Sequence, residues 1–374
     1  MASSTRSALL LLGTSLLLST TAQAEKIAFL IPDPQVNASE HGNQRRAVSG
    51  ALLNGMNFAD PSIIQVNGES WAFATNGNGK HVQLADNPDF SKPSEWKYVQ
   101  SDAFPSLPPW VTNEVWAPDV ARLTDYDDSF AMYYAGRATI NSKDVHCLGL
   151  ARSRDNVAGP YTDGSSAPWF IVEGMPGGCR EDAGGQIDPT IFRDSDGSWY
   201  VAYKLDGPRT CGDKQNSANC HKTPLYLAKL GKNSQGKVDG YTLDKGSEWP
   251  LFLFDNAGAD DGYNIEAPAL VMSNDGKTHF MFYSRGSTFD STYKVSYTYS
   301  TNGIKGPWNN PRADLLATGA VAADGTKLYA PGGADITLLG ANMVFHADAD
   351  TSASTRVLHT GHLNWLPNYK VGIA

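Results

Sequence analysis

Ile187-Asp188-Pro189-Thr190-Ile191-Phe192, followed across a polar turn by Trp199-Tyr200-Val201-Ala202-Tyr203, is the stretch that decides the fold. The same phrase, an acid beside proline, an apolar pair, a turn and an aromatic-rich strand, is read four more times. Phe58-Ala59-Asp60-Pro61-Ser62-Ile63-Ile64 leads to Trp71-Ala72-Phe73, and Trp116-Ala117-Pro118-Asp119-Val120 leads to Phe130-Ala131-Met132-Tyr133-Tyr134. Ile265-Glu266-Ala267-Pro268-Ala269-Leu270 leads to His279-Phe280-Met281-Phe282-Tyr283, and Ala330-Pro331-Gly332-Gly333-Ala334-Asp335-Ile336 leads to Met343-Val344-Phe345-His346. From the acid to the start of the next strand the offset is 11 residues for Asp60, Asp119 and Asp188, and 13 for Glu266. A repeat of this kind denotes one supersecondary unit copied along the chain.

The copies start 59, 69 and 78 residues apart, long enough for a four-stranded blade with variable loops. Between them lie further strand candidates, such as Leu225-Tyr226-Leu227-Ala228 and Tyr293 to Tyr299, punctuated by Asn-Gly, Asp-Gly and Gly-Pro. Five such units arranged radially make an all-β, five-bladed β-propeller, which hides most sheet edges by closing on itself. If the acid–proline phrase opens the inner strand of each blade, Asp60, Asp119, Asp188 and Glu266 converge at one end of the central channel. The competing reading makes them Asx turns at blade corners.

Composition fits this reading. The 374 residues include 36 Gly and 21 Pro, with 30 Lys+Arg against 39 Asp+Glu and a formal charge of −9. A long-helix bundle is disfavoured, and the absence of a dense basic stripe argues against nucleic acid. Residues 1–24 carry one basic residue, Arg6, an apolar run from Ala8 to Leu18, and Ala22-Gln23-Ala24 at a cleavage spacing, which reads as a secretory signal. Neither this run nor any later one is long enough to span a bilayer. The expected organisation is a signal at 1–24, a polar segment at 25–50 bearing the sequon Asn37-Ala38-Ser39, and a propeller at 51–374. The secreted, extracellular setting suits two disulfides among Cys147, Cys179, Cys211 and Cys220, with Cys211–Cys220 the preferred pairing.

At this level of detail the residues resemble glycoside hydrolase family 43, the arabinanase, α-L-arabinofuranosidase and β-xylosidase family. The resemblance runs from about residue 55 to 370 and rests on the order and spacing of the phrases. It implies Asp60 as general base, Glu266 as general acid and Asp188 as the aspartate that orients the acid and raises its pKa. Inverting glycoside hydrolysis asks for this division, one carboxylate to activate water and one carboxylic acid to protonate the leaving oxygen. Asp119 matches a second-blade aspartate that is more structural than catalytic, and is kept with Phe58, Trp116 and Arg285 as a candidate substrate contact. Trp71, Trp199 and Tyr133 are expected to pack between blades, and His346 to be a core histidine. The family's channel calcium is in doubt, because Pro331-Gly332-Gly333-Ala334-Asp335 lacks the fifth-blade histidine, so no cofactor is expected for the chemistry and the metal position stays open.

Together these features imply a secreted, monomeric hydrolase of arabinose-containing plant cell-wall polysaccharide or oligosaccharide, with neither nucleic acid nor membrane as partner. Long inserts at 105–113, 173–185 and 207–224 favour an exo-acting α-L-arabinofuranosidase over an endo-1,5-α-L-arabinanase or a β-xylosidase. A non-enzymatic propeller lectin is the alternative from another class. Its blades would repeat one binding site, whereas here the acids differ from blade to blade.

Overall fold

A computed structural model of the chain describes residues 48–169, 179–207, 222–246, 249–255, 264–273, 275–309, 312–337, 340–352 and 354–374. The signal segment, the sequon at Asn37 and the pair Cys211 and Cys220 lie outside these residues.

The expected five-bladed propeller is observed. Blade one contains β1 (Ser62–Val66), β2 (Glu69–Ala74), β3 (Gln83–Asn87) and β4 (Lys97–Val99), and blade two contains β5 (Val115–Arg122), β6 (Phe130–Ile140) and β7 (Lys143–Ser153). Blade three is β8 (Gln186–Arg193), β9 (Trp199–Leu205), β10 (Leu225–Lys229) and β11 (Leu251–Phe254). Blade four is β12 (Ile265–Met272), β13 (His279–Arg285), β14 (Lys294–Ser300) and β15 (Ala313–Leu316). Blade five is β16 (Tyr329–Ile336), β17 (Asn342–Asp348), β18 (Arg356–Leu366) and β19 (Lys370–Ile373). Every pairing within a blade is antiparallel, and the inner strands touch in the closed cycle β1, β5, β8, β12, β16 and back to β1.

Five apolar clusters fill the five gaps between neighbouring blades. Tyr133 and Trp199 belong to the one between blades two and three, both buried, and Trp71 packs against the one between blades one and two. These rings hold blades together, as expected of them. The fifth blade is finished from both ends of the described chain. The second half of β18 pairs with β19, while its first half takes backbone bonds from Ser49 to Thr360, Leu52 to Leu358 and Phe58 to Arg356 at 2.7–2.9 Å. Val48 and Ser49 are buried in this seam, so the packed body includes residues 48–50.

The acid–proline phrase is a β-bulge. In blades two to five the inner-strand register breaks between Trp116 and Asp119, Ile187 and Thr190, Glu266 and Ala269, and Gly332 and Asp335. The first residue inside each break, Ala117, Asp188, Ala267 or Gly333, has φ between 41° and 56°, and Asp60 just ahead of β1 has φ 50°. Proline follows in four of the five, where a residue without an N–H loses no ladder bond. The left-handed conformation costs a residue with a Cβ roughly 1–2 kcal/mol, and such strain gathers at functional sites.

This phase corrects the expectation that the four acids share one level. Asp60 and Asp188 occupy the left-handed position, Glu266 precedes it, and Asp119 follows it by two. Asp119 shared the 11-residue offset only because the β5–β6 connection differs in length.

Candidate active site

In four of the five bulges a main-chain N–H faces the preceding blade, which answers it with a side chain. Asp60 N–H donates to His346 Nδ1 (3.0 Å), Ala117 N–H to Thr75 Oγ1 (3.0 Å), Ala267 N–H to Asp188 Oδ2 (2.9 Å) and Gly333 N–H to Ser284 Oγ (2.8 Å). Two positions deeper, Ile191 N–H donates to Asp119 Oδ2 and Ile63 N–H to Asp335 Oδ2, both at 2.7 Å. These clasps surround a cavity of about 40 Å³ on the axis, whose lining includes Asp60, Asp188, Asp119, Asp335, Ser62 and Thr190.

Asp60 is seated by a donor on each carboxylate oxygen. Its Oδ1 accepts from Arg356 Nη1 and its Oδ2 from Thr75 Oγ1, each at 2.7 Å. Because His346 Nδ1 accepts the Asp60 N–H, its proton belongs on Nε2. Burial, with the Arg356 charge, pushes His346 down to about 3 against the opposing pull of Asp60 and Glu266, so the ring is neutral. It is fully buried and lies parallel to the Tyr293 ring, centroids 5.9 Å apart.

Glu266 has both oxygens engaged. Oε1 accepts from the Tyr293 hydroxyl at 2.6 Å and Oε2 from Lys204 Nζ at 2.8 Å. Tyr293 reaches this place because residue 332 is glycine, where a Cβ would stand 1.9 Å from the tyrosine ring. Lys204 is 2% exposed and has Asp206 as a second counter-ion at 3.4 Å.

Burial pushes the Glu266 carboxyl up, but the Lys204 charge and hydrogen bonds from Lys204 and Tyr293 outweigh it and hold it below the usual carboxylate range. Asp188 moves the other way, to about 8, through burial first and the Glu266 charge second, with Lys204 opposing. Asp188 is expected to raise Glu266; in the free protein Lys204 and the hydrogen bonds outweigh that repulsion at Glu266. Repulsion between the two acids is present, and Lys204 directs its outcome.

Trp116 occupies in β5 the position that Glu266 occupies in β12. It is half-buried and stacks on the buried ring of His146, centroids 3.6 Å apart. His146 Nε2 faces Glu114 at 3.5 Å, and Glu114 pairs with Arg137 at 3.0 Å. The disulfide Cys147–Cys179 and the backbone bridge between His146 and Gly185 hold residues 179–185 against this wall. That disulfide is the complement of the preferred Cys211–Cys220 pairing.

Three candidate substrate contacts are corrected. Phe58 is 0% exposed, packed edge-on to Tyr98, and offers no ring face to a sugar. Asp119 is buried and spends an oxygen on the Ile191 clasp, and burial raises it to about 6. Arg285, at the end of β13, is buried and gives its guanidinium to Asp314 of the same blade. The residues that sequence reasoning missed are Thr75, Lys204, Tyr293 and Arg356, from second and third strands or the turns beside them. Lys204 alone left a visible sign, a charge inside the apolar run Trp199-Tyr200-Val201-Ala202-Tyr203-Lys204-Leu205.

The channel does not fit the calcium ligand set of the resemblance. Asp335 accepts main-chain N–H groups on both oxygens and Asp119 on one, and Gly333, the residue after Pro331-Gly332, stands where that set has histidine. Among the described residues no group of three or more His, Cys, Asp or Glu is arranged to hold a metal. Nor is any described helix long and apolar enough to cross a membrane.

Comparison with known proteins agrees with the fold. The xylosidase/arabinosidase 43A of Humicola insolens is 26% identical over 182 residues, 44% of this chain, and the match spans 50% of that relative's length. A thermostable family-43 glycoside hydrolase superposes with a TM-score of 0.63 at 19% identity, covering 85% of this chain and 93% of its own. The arabinanase of Bacillus subtilis superposes with a TM-score of 0.57 at 20% identity, covering 85% and 98%. An endo-1,4-beta-xylanase of Bacteroides thetaiotaomicron gives 0.61 at 19%, covering 87% and 97%. The sequence profile of Glycosyl hydrolases family 43 matches residues 53–368, and the chain belongs to that family.

Proposed function

We propose that the protein is a secreted, inverting, exo-acting α-L-arabinofuranosidase that removes arabinose from arabinan or arabinoxylan. The observation that carries this is the unequal seating of three acids around one mouth. Asp60, held by Arg356 and Thr75 and facing the cavity, takes a proton from water as the water oxygen bonds to the anomeric carbon. Glu266, paired with Lys204 and Tyr293, gives a proton to the departing glycosidic oxygen. Asp188, coupled to Glu266 by charge and clasped to Ala267, holds the proton reserve of the pair.

Exo action is favoured by the blade-two side of the mouth. Thr112 N–H bonds to Arg137 O, which lays the 105–113 insert over the end of β6, and the disulfide pins residues 179–185 beside Trp116. A wall there suits a pocket for one terminal sugar. The names of the relatives span arabinose and xylose, both pentoses. Digests of linear arabinan, arabinoxylan and nitrophenyl pentosides, with early-time NMR of the product anomer, test this. Single arabinose of inverted configuration is expected. A ladder of arabino-oligosaccharides moves the reading to an endo-arabinanase, faster xylose release moves it to a β-xylosidase, and a retained anomer overturns the assignment of the acids.

A further inference from the structure

Lys204 occupies a position whose counterparts do a different job. The second-strand residues facing the bulge are Thr75, Ala135, Lys204, Ser284 and His346 in blades one to five. Thr75, Ser284 and His346 each accept the bulge N–H of the following blade. A lysine ammonium has no lone pair for that task. In blade three the task passes to Asp188, which takes the Ala267 N–H, and Lys204 turns its charge on Glu266 instead.

Burying an ammonium is costly even when it is paired, and a neutral side chain of similar volume would serve packing better. The charge therefore has another use. Glu266 receives a donor on each oxygen, the arrangement of an ionised carboxylate, whereas a general acid must hold a proton. Asp188, half-buried and bonded to the N–H of Ala267 next to Glu266, is the other place where one proton can rest.

We infer that Lys204 decides which carboxyl of the Asp188–Glu266 pair carries their shared proton, keeping it on Asp188 until a sugar binds. This rests on the reading of Glu266 as the acid. In a turnover the proton passes from Asp188 to Glu266. The Glu266 O–H bond then breaks as the glycosidic oxygen gains the proton and the electron pair of the cleaved C–O bond. Water bonds to the anomeric carbon and yields its proton to Asp60. Solvent returns the proton from Asp60 to Asp188, and the balance closes. The groups facing the pair are Lys204, Asp206, Tyr293, Asn264, Asp60, Arg356 and the neutral His346.

The test uses the full chain and an aryl α-L-arabinofuranoside. Lys204→Met should move the alkaline limb of kcat/KM upward by about 1–3 pH units, and Lys204→Arg should leave it in place. Asp206→Asn removes the competing counter-ion and should move the limb downward, which keeps the inference testable if Lys204→Met does not fold. Independently of turnover, infrared spectra at neutral pH should assign the protonated-carboxyl band to an aspartate in the parent and, by a new band that shifts with carbon-isotope-labelled glutamate, to Glu266 in Lys204→Met. An unmoved limb in Asp206→Asn, or in a folded Lys204→Met without the new band, overturns the inference. Full activity of Glu266→Gln on a poor leaving group overturns instead the assignment of the acid.

Discussion

Replacing Glu266 by glutamine is the most informative single change, because the structure fixes how the amide must sit. Lys204 can only donate, so the amide oxygen faces it and the NH2 turns to the Tyr293 hydroxyl, which can rotate to accept. Lys204 keeps Asp206 at 3.4 Å. The fold therefore loses on the order of 2 kcal/mol, less than the roughly 3–5 kcal/mol of a buried charge left wholly unpaired. Catalysis loses much more where a proton is needed. Removing a general acid lowers the rate about 10²–10⁴-fold, equivalent to roughly 3–5 kcal/mol of barrier. Arabinose release from arabino-oligosaccharides should fall by that factor, whereas turnover of a dinitrophenyl arabinofuranoside should stay within about tenfold of the parent, since its leaving group departs without a proton. Initial rates on both substrates, with a melting curve to confirm the fold, make the comparison. An equal loss on both, or no loss on either, would refute the assignment of Glu266.

Asp188 makes stability depend on pH in a stated direction. Its carboxyl is raised from 3.8 to about 8 in the fold, so the folded state holds a proton that the unfolded chain has released, and this contribution is complete below about pH 4 and lost as pH rises through 8. Melting temperature should fall across that window, and Asp188→Asn should flatten the slope; parallel slopes would sink the idea. Converting Cys147 and Cys179 to serine opens a loop with a sequence separation of 32 and should cost about 3–4 kcal/mol in urea unfolding; an unchanged midpoint contradicts this. Phe58→Ala should cost about 3–5 kcal/mol of stability with KM unaltered, whereas Trp116→Ala should lower kcat/KM about tenfold with little change in stability. The opposite pattern would restore Phe58 as a sugar contact.

The fold was legible because four of the five inner strands announce themselves by proline in a bulge, a local signal that survives variable loops. Asp60, Asp188 and Glu266 were legible for the same reason, being fixed by that proline at a distance of one or two residues. What surrounds them was not. Thr75, Lys204, Tyr293 and Arg356 enter the mouth from strands and turns whose register depends on connection length, which differs in every blade. Asp119 illustrates the hazard: a matching offset of 11 residues put it at the level of Asp60, whereas the bulge places Ala117 there. The protonation state of Glu266 was hidden with Lys204, because a carboxyl's pKa is a property of its neighbours and not of its motif.

The seating of Asp60 by blade five also sets a timetable for the making of the molecule. Its N–H waits for His346, 286 residues later, and its carboxylate for Arg356, 296 residues later. At roughly 5–20 residues per second of synthesis, Asp60 has Thr75 early but waits roughly 15–60 s for its fifth-blade partners. The stretch from Ser49 to Phe58 likewise finds its partner only when Arg356 to Thr360 emerges. Four blades can assemble in that interval, but the seat of Asp60 is complete only when the ring locks. A chain cut short before His346 therefore carries most of its blades but an Asp60 without either of its fifth-blade partners.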